Sequence, residues 1–117
     1  MMATLIFIDD DPDFLNSNRL YFEHKGYQVF SCRDPQDALN LLSAAAADCV
    51  IMDIDMPGMD GFELCRRLRE ISRIPVIFLS GFSEIENRIR SFRSGGNDFL
   101  AKPYDMIELE WPIQARI

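Results

Sequence analysis

The sequence predicts a single α/β domain, a three-layer α/β/α sandwich in which helices cover both faces of a five-stranded parallel sheet. Two observations support this fold class. Short runs of β-branched and aromatic residues recur along the chain, and segments with helical spacing separate them. The runs are almost continuously apolar, as is typical of strands buried on both faces of a parallel sheet. They cover residues 5–8, 27–30, 49–52, 75–79 and 98–100.

Five amphipathic segments follow the five predicted strands in strict alternation. The first spans about residues 12–25 and ends at Gly26, since glycine readily adopts the left-handed backbone conformation that terminates a helix. The second begins at Asp34-Pro35, a cap followed by proline at the first helical position. The fourth ends at Gly95-Gly96, and the fifth begins near Asp105. Each segment carries apolar residues at helical spacing. They are Phe14, Leu15, Leu20, Tyr21 and Phe22 in the first segment; Ala38, Leu41 and Leu42 in the second; Phe62, Cys65, Leu68 and Ile71 in the third; Ile85, Ile89 and Phe92 in the fourth; and Ile107 and Leu109 in the fifth.

Length and charge limit the classes of function. The 117 residues suffice for one hydrophobic core, so we expect residues 1–117 to form one domain. The formal net charge is −7, which repels phosphate backbones and disfavours direct binding of nucleic acid. No apolar run approaches the roughly 20 residues of a membrane span. A signal peptide carries positive charge before its apolar region, and no such charge precedes the first apolar run here. We therefore expect a cytoplasmic protein without membrane contact.

The cysteines and the histidine carry no chemical signal. Cys32, Cys49 and Cys65 are odd in number and lack CxxC spacing, which disfavours a disulfide framework or a zinc site. We expect reduced residues, most of them packed in the core. His24 lies near the end of the first helix, where a solvated or helix-terminal position is favoured over catalysis.

Polar residues stand where the predicted strands end. Asp9, Asp10 and Asp11 follow the first strand, Asp53 and Asp55 follow the third, Ser80 ends the fourth, and Lys102 follows the fifth. In open parallel sheets, ligands bind at the carboxyl ends of the strands, where the strand order reverses. Singly, Asp11 could be a helix cap, and residues 55–58 could be a turn. Together, converging carboxylates repel one another unless a cation lies among them.

This set of side chains favours a hard divalent ion and an anionic ligand. Oxygen ligands without nearby histidine or thiolate are those that Mg²⁺ prefers. An ammonium and a divalent cation beside an aspartate form a pocket for a doubly negative group such as a phosphoryl group. Phosphoryl transfer depends mainly on in-line positioning and charge neutralisation, and aspartate is a competent nucleophile for it. The sequence therefore predicts a phosphoryl-accepting site with bound Mg²⁺.

Four motifs resemble those of two-component response regulator receiver domains, the CheY-like superfamily. They are LIFIDDDP at residues 5–12, DIDMPGMDG at 53–61, PVIFLSG at 75–81 and GGNDFLAKPY at 95–104, and the resemblance covers nearly the whole chain. It implies a flavodoxin-like (βα)5 fold with strand order 2-1-3-4-5. It also implies a signalling domain that assists its own phosphorylation and dephosphorylation, rather than an enzyme.

The resemblance assigns a role to each site residue. Asp53 accepts phosphate from a sensor histidine kinase or a histidine phosphotransfer protein. Asp10 and Asp53 bind Mg²⁺ directly, the backbone carbonyl of Asp55 is a third ligand, and Asp9 acts mainly through water. Lys102 pairs with the phosphoryl oxygens, and its bond to Pro103 is expected to be cis.

A switch and an output surface also follow from the resemblance. Ser80 is drawn towards the phosphoryl group, and Phe99 moves into the space it vacates. Charge-assisted hydrogen bonds made only in the modified state would bias these two elements. The output surface is the face formed by the fourth helix, the fifth strand and the fifth helix. It would meet an output domain or partner protein, or form a phosphorylation-dependent homodimer.

Three positions depart from the family pattern. Phe99 stands where tyrosine is frequent, so it lacks a hydroxyl for an output partner, and it could also be an ordinary core aromatic. Phe82 lies near the expected entrance to the site, where it would slow access of water, or be incidentally exposed. Trp111-Pro112 falls inside the fifth helix. Because proline disrupts a helix interior, we expect a kink, an early end, or a tail whose Trp111 packs elsewhere.

Other functions remain open from the sequence alone. A constitutive interaction module of the same fold would lack Asp10, Asp53 or Lys102, and all three are present. A phosphohydrolase could use Asp53 as nucleophile and Asp55 as acid-base, but such enzymes usually have a cap and carry the motif on the first strand. A flavin-binding protein of similar topology is disfavoured, because no phosphate-binding loop rich in serine, threonine and glycine follows the first strand.

Overall fold

The computed structural model describes residues 2–44, 46–81 and 85–117. Five strands and five helices alternate along the described chain, as predicted. The strands are β1 (Thr4–Ile8), β2 (Gln28–Cys32), β3 (Cys49–Asp53), β4 (Val76–Ser80) and β5 (Asp98–Ala101). The helices are α1 (Pro12–His24), α2 (Pro35–Ala44), α3 (Gly61–Leu68), α4 (Ile85–Arg93) and α5 (Met106–Arg116).

All strand pairs are parallel, and the strand order is β2-β1-β3-β4-β5. The predicted fold and strand order are therefore confirmed. After β2 the chain crosses back over β1 to form β3, so the order reverses between β1 and β3. A crevice at the carboxyl ends of these two strands is where ligands bind in such sheets.

Alternate strand residues face two separate core layers. Ile6, Val50 and Phe78 lie in the layer that α2 and α3 cover, together with Ala38 and Phe62. The other layer lies between the sheet and helices α1 and α5. It contains Leu5, Phe7, Ile51, Ile77, Leu15, Phe22, Leu109 and Ile113. The two layers hold the central strands rigidly, so the residues that follow them start from fixed positions.

Capping residues fix the ends of α1. Asp11 is the N-cap and accepts hydrogen bonds from the backbone N–H groups of Asp13 and Phe14. Gly26 ends the helix with φ +98°. The N–H of Tyr27 donates to the carbonyl of Phe22 over 3.0 Å, which completes a Schellman motif. Tyr27 thus belongs to the helix cap, and β2 begins one residue later than predicted.

Several apolar positions of the predicted helices are exposed rather than packed. They are Leu20 in α1, Ile71 after α3, Ile85, Ile89 and Phe92 in α4, and Ile107 in α5. In α4 the buried residue is Ser91. A Cβ at Gly96 would lie 2.4 Å from the ring of Phe78 and 2.8 Å from the carbonyl of Ser91, so small residues bring α4 close to the sheet. The apolar stripe of α4 consequently faces outward.

Proline does not end α5. The helix runs through Pro112 to Arg116, and Trp111 is 65% exposed. The predictions of an early end and of a packed Trp111 were wrong. Leu109 and Ile113 flank the proline on the buried side, and both are fully buried. Their burial against the sheet holds the helix on each side of the missing hydrogen bond.

The remaining expectations concern single residues. Cys32, Cys49 and Cys65 are free and buried, which confirms packed thiols. His24 is exposed in the last turn of α1. The bond between Lys102 and Pro103 is cis, as expected. Phe82 lies outside the described residues. Among the described helices, none has both the length and the apolar character needed to cross a membrane.

Candidate functional site

The register of the sheet brings the predicted site residues together. Asp9 directly follows β1, and Asp53 is the last residue of β3, its neighbour in the sheet. Ser80 ends β4 and pairs with Ala101, which precedes Lys102. Four strands therefore deliver two carboxylates, a hydroxyl and an ammonium to one edge of the sheet, at the point where the strand order reverses.

Three carboxylates form the acidic part of the site. Oxygen atoms of Asp9, Asp10 and Asp53 all lie within 4.8 Å of one another. Asp9 and Asp53 are 3% and 6% exposed, whereas Asp10 is open to solvent. The donor atoms are all oxygen, and one member of the cluster faces the solvent from which an ion would enter. This arrangement fits a hard divalent cation such as Mg²⁺.

Burial makes the charged form of these carboxylates costly. Burial, the largest effect, raises the pKa of Asp53 to about 6; Lys102 lowers it and the charge of Asp9 raises it. Burial also raises the pKa of Asp9, against the backbone N–H of Asp11 and the ammonium of Lys102, which lower it. A divalent cation would relieve the repulsion between the two groups, so binding of the ion and loss of the Asp53 proton are coupled.

Lys102 supplies positive charge to the site from the chain itself. Its Nζ lies 3.0 Å from Oδ2 of Asp9 and 3.5 Å from Oδ1 of Asp53. The side chain is 24% exposed, so this ion pair is only partly screened by solvent. The other oxygen of Asp9, Oδ1, accepts a hydrogen bond of 3.0 Å from the backbone N–H of Asp11. Both oxygens of Asp9 are thus engaged within the protein.

The proposed switch residues lie on β4 and β5. Ser80 is fully buried, and its Oγ lies 3.3 Å from Oδ2 of Asp55. Phe99 is half-buried and packs against the core layer under α2 and α3. The guanidinium of Arg88 in α4 lies 5.4 Å from the centre of its ring. Phe99 therefore contacts both the core and the helix that follows β4.

Asp11 and Arg33 complete the polar surroundings. The carboxylate of Asp11 caps α1, which confirms the simpler of its two interpretations. Arg33, in the loop after β2, donates to the backbone carbonyl of Asp10 over 3.3 and 3.4 Å. Sequence reasoning did not single out Arg33. Its position directly after β2 placed it at the same sheet edge, but a single arginine after an edge strand is not a distinctive signal.

Gly61 is a second residue whose role the sequence did not indicate, although it ends the motif at residues 53–61. It begins α3 behind Asp53, and a Cβ there would lie 2.6 Å from the backbone oxygen of Asp53 and 2.9 Å from Cα of Ile54. We expect Gly61→Ala to lower the free energy of unfolding by about 1–3 kcal/mol, because backbone rather than a flexible side chain must move. Urea unfolding measures this loss of stability. A Mg²⁺ titration measures the affinity for the ion, which should fall if Asp53 is displaced.

Gly81→Ala is the matched control for that substitution. It adds the same methyl group at the same sheet edge, where no described heavy atom lies within 4 Å. Its free energy of unfolding should change by no more than about 0.5 kcal/mol. Equal stability of Gly61→Ala and wild type would show that the end of β3 tolerates displacement.

The comparisons with known proteins agree with one another. Residues 5–114 match the sequence model of the family described as "Response regulator receiver domain". The chain is 32% identical over 117 residues to the response regulator GtcR of Aneurinibacillus migulanus, covering 100% of this chain and 48% of that protein. It is 35% identical to the heme response regulator HssR of Staphylococcus aureus strain MRSA252, covering 97% and 51%. The chain thus spans about half the length of these two relatives.

Solved structures share the fold. The chemotaxis response regulator CheY4 of Vibrio cholerae superposes with a TM-score of 0.93 at 26% identity, covering 100% of each chain. The receiver domain of the Francisella response regulator 1452 gives a TM-score of 0.91 at 31% identity, covering 97% of this chain and 94% of the other.

Proposed function

The chain belongs to the response regulator receiver domain family, and from this membership we propose that residues 1–117 act as one phosphorylation switch whose phosphoryl group is carried on Asp53. The family is a phosphoacceptor family of two-component signalling. The proposed donor is a phosphohistidine of a sensor histidine kinase or of a histidine phosphotransfer protein. The observation that supports the proposal is the convergence of Asp9, Asp10, Asp53 and Lys102 at one sheet edge.

In the proposed reaction, a carboxylate oxygen of Asp53 attacks the phosphorus of the phosphohistidine. An oxygen–phosphorus bond forms, the phosphorus–nitrogen bond breaks, and the leaving imidazole takes up a proton from solvent. Asp53 must be ionised to attack, so removal of its proton above pH about 6 favours the reaction. Lys102 donates to the phosphoryl oxygens and balances their charge. Hydrolysis of the resulting acyl phosphate returns Asp53 to its carboxylate form.

Mg²⁺, when bound, supplies positive charge to the transferring phosphoryl group. Asp10 and Asp53 would ligate it directly, with the backbone carbonyl of Asp55 as the third protein ligand. Asp9 would act through water, since both of its carboxylate oxygens already accept hydrogen bonds from Asp11 and Lys102. The solvent exposure of Asp10 supports a direct path for the ion.

We propose Ser80 and Phe99 as the residues that respond. The hydroxyl of Ser80 would leave Asp55 and donate to the phosphoryl group, a stronger bond because its acceptor is more negative. Phe99 would then move inward and lose the guanidinium of Arg88. Because both contacts exist in only one of two states, phosphorylation biases the equilibrium between them.

The proposed output surface consists of α4, β5 and α5. Exposed apolar side chains on the two helices support this assignment: Ile85, Ile89, Phe92, Ile107 and Trp111. A surface of this kind marks a site of contact with another protein. We propose an output domain or partner protein as its ligand, with a phosphorylation-dependent homodimer as the second candidate. The free, buried thiols suit a reducing compartment such as the cytoplasm.

The proposal is tested with Mg²⁺ and either a small phosphodonor or beryllofluoride, an analogue of the phosphoryl group. Wild-type protein should form a stable adduct, detected by its mass and by spectral changes at Ser80 and Phe99. Asp53→Asn should form none. Asp55→Asn removes a neighbouring carboxylate of the same motif and should still form the adduct. Absence of an adduct in the wild type, or its persistence in Asp53→Asn, would refute the proposal.

A further inference from the structure

Lys102 has a third partner besides the two carboxylates. Its Nζ lies 4.1 Å from the centre of the Phe14 ring, within the range of a cation–π contact. The ammonium therefore contacts the carboxylates of Asp9 and Asp53 and also an aromatic face. We infer that Phe14 is a positioning residue, which holds the ammonium of Lys102 where the phosphoryl group of Asp53 will form. This inference rests on the proposed function.

The backbone of Phe14 is held by side chains at both of its polar groups. Asp11 accepts a hydrogen bond from the backbone N–H of Phe14, so the start of α1 follows directly from the acidic residues after β1. Nδ2 of Asn18 donates to the backbone carbonyl of Phe14 over 2.9 Å. Asn18 is fully buried although it is polar. A buried amide of this kind restricts the helix to one position, because moving it would leave the amide unpaired.

The loop that carries Lys102 is tied to the same turn of α1. The hydroxyl of Tyr104 donates to Oδ1 of Asn18 over 3.1 Å. The ring of Tyr104 meets the ring of Phe14 edge to face, with centres 6.0 Å apart and an interplanar angle of 90°. This is a favourable aromatic arrangement. Asn18, Phe14 and Tyr104 therefore connect α1 to the loop after β5, which carries Lys102.

When a cation binds at the site, the contact of Lys102 with an aromatic ring should change less than its contacts with the carboxylates. A bound cation competes with Lys102 for the charge of Asp9 and Asp53, so those contacts weaken when the site is loaded. The ring of Phe14 carries no net charge and is not expected to ligate Mg²⁺, so its attraction for the ammonium persists.

The geometry is tested first without any ligand. The ring current of Phe14 should shift the ε-methylene protons of Lys102 upfield in the NMR spectrum of the wild-type protein. The shift should disappear in Phe14→Leu and remain in Phe14→Tyr, which keeps the ring. Unshifted protons in the wild type would overturn the inference before phosphorylation is considered.

The role is tested by a double-mutant cycle on beryllofluoride affinity at saturating Mg²⁺. Phe14→Leu should weaken beryllofluoride binding by about three- to tenfold, the effect of losing one partly buried cation–π contact. Phe14→Tyr should restore it, and affinity for Mg²⁺ alone should stay within about twofold of wild type. In the Lys102→Ala background, Phe14→Leu should have no further effect, because the residue acts through the lysine.

The outcomes separate this inference from the proposed function. If wild-type protein binds no beryllofluoride, the proposed function itself fails. If the wild type binds and Phe14→Leu binds equally well, only the positioning role fails. If Phe14→Leu weakens binding equally in both backgrounds, the ring acts on the fold rather than through Lys102, and the inference is again overturned. Urea unfolding of Phe14→Leu establishes that the variant is folded at the temperature of the assay.

Discussion

Lys102→Ala should phosphorylate about 100- to 1,000-fold more slowly than wild type, because one preorganised charge that stabilises the transferring phosphoryl group is removed. The ammonium lies 3.5 Å from Oδ1 of Asp53, within reach of a group attached there. Mg²⁺ binding should be kept or strengthened, since Lys102 competes with the ion for Asp9 and Asp53. Stopped-flow fluorescence with a small phosphodonor measures the rate, and a titration without donor measures the ion.

The adduct that does form in Lys102→Ala should fail to move Ser80 and Phe99. Without the ammonium, the phosphoryl oxygens lose the contact that favours the active state. NMR resonances of these two residues report the movement. Lys25→Ala is the matched control: Lys25 is the other lysine, and its Nζ lies 3.9 Å from Glu110, away from the site. Wild-type rates and wild-type spectral changes in Lys102→Ala would contradict the role of the lysine.

Asp53→Asn should stabilise the protein in the absence of divalent ions. The pKa of Asp53 is raised from 3.8 to about 6, so the folded state holds its proton more tightly than the unfolded state does. Stability is therefore lost as the pH rises from about 4 to about 6, and the loss is complete above that window. Two pKa units correspond to at most about 3 kcal/mol, so we expect a gain of about 1–3 kcal/mol at pH about 7.5.

Urea unfolding in EDTA at pH about 7.5 and about 5 measures this gain, which should shrink at the lower pH. Added Mg²⁺ should stabilise the wild type more than the variant and narrow the difference between them. Asp11→Asn is the control, because it removes an equal charge from an exposed helix cap and asparagine caps as well as aspartate. A variant Asp53→Asn less stable than wild type in EDTA would show that burial of this charge is not costly.

The order of elements was predictable because parallel strands and their helices leave distinct patterns in the sequence. The start of β2 was placed one residue early, since Tyr27 is aromatic and precedes an apolar run. Its N–H instead closes the cap of α1 on the carbonyl of Phe22. A β-like residue directly after a helix-ending glycine can serve either element, and only the hydrogen bond decides between them.

The buried face of a helix was less predictable than the presence of the helix itself. The spacing of Ile85, Ile89 and Phe92 indicated α4, but these residues are exposed, and Ser91 is buried instead. An apolar stripe identifies a face that avoids water without identifying what covers it. At Pro112, burial of the neighbouring positions Leu109 and Ile113 outweighs the missing backbone hydrogen bond, so α5 continues.

The acidic site was predictable because topology alone brings the strand ends together. Asp9 and Lys102 each follow a strand directly and Asp53 ends one, so the strand order fixes their proximity. Phe14 lies in α1 and Arg33 in the loop after β2, and their contacts with the site depend on side-chain rotamers that are set by packing. Their contribution could not be predicted from position along the chain, and it becomes visible only as the distances to Lys102 and Asp10.

The most direct test of the central claim is chemical mapping of the phosphoryl group. Protein phosphorylated in Mg²⁺ by a small phosphodonor is reduced with borohydride, which converts an aspartyl phosphate to homoserine, and is then digested and sequenced by mass spectrometry. The account predicts homoserine at residue 53 alone. Homoserine at residue 9, 10 or 55, or intact aspartate at residue 53 in phosphorylated protein, would contradict it.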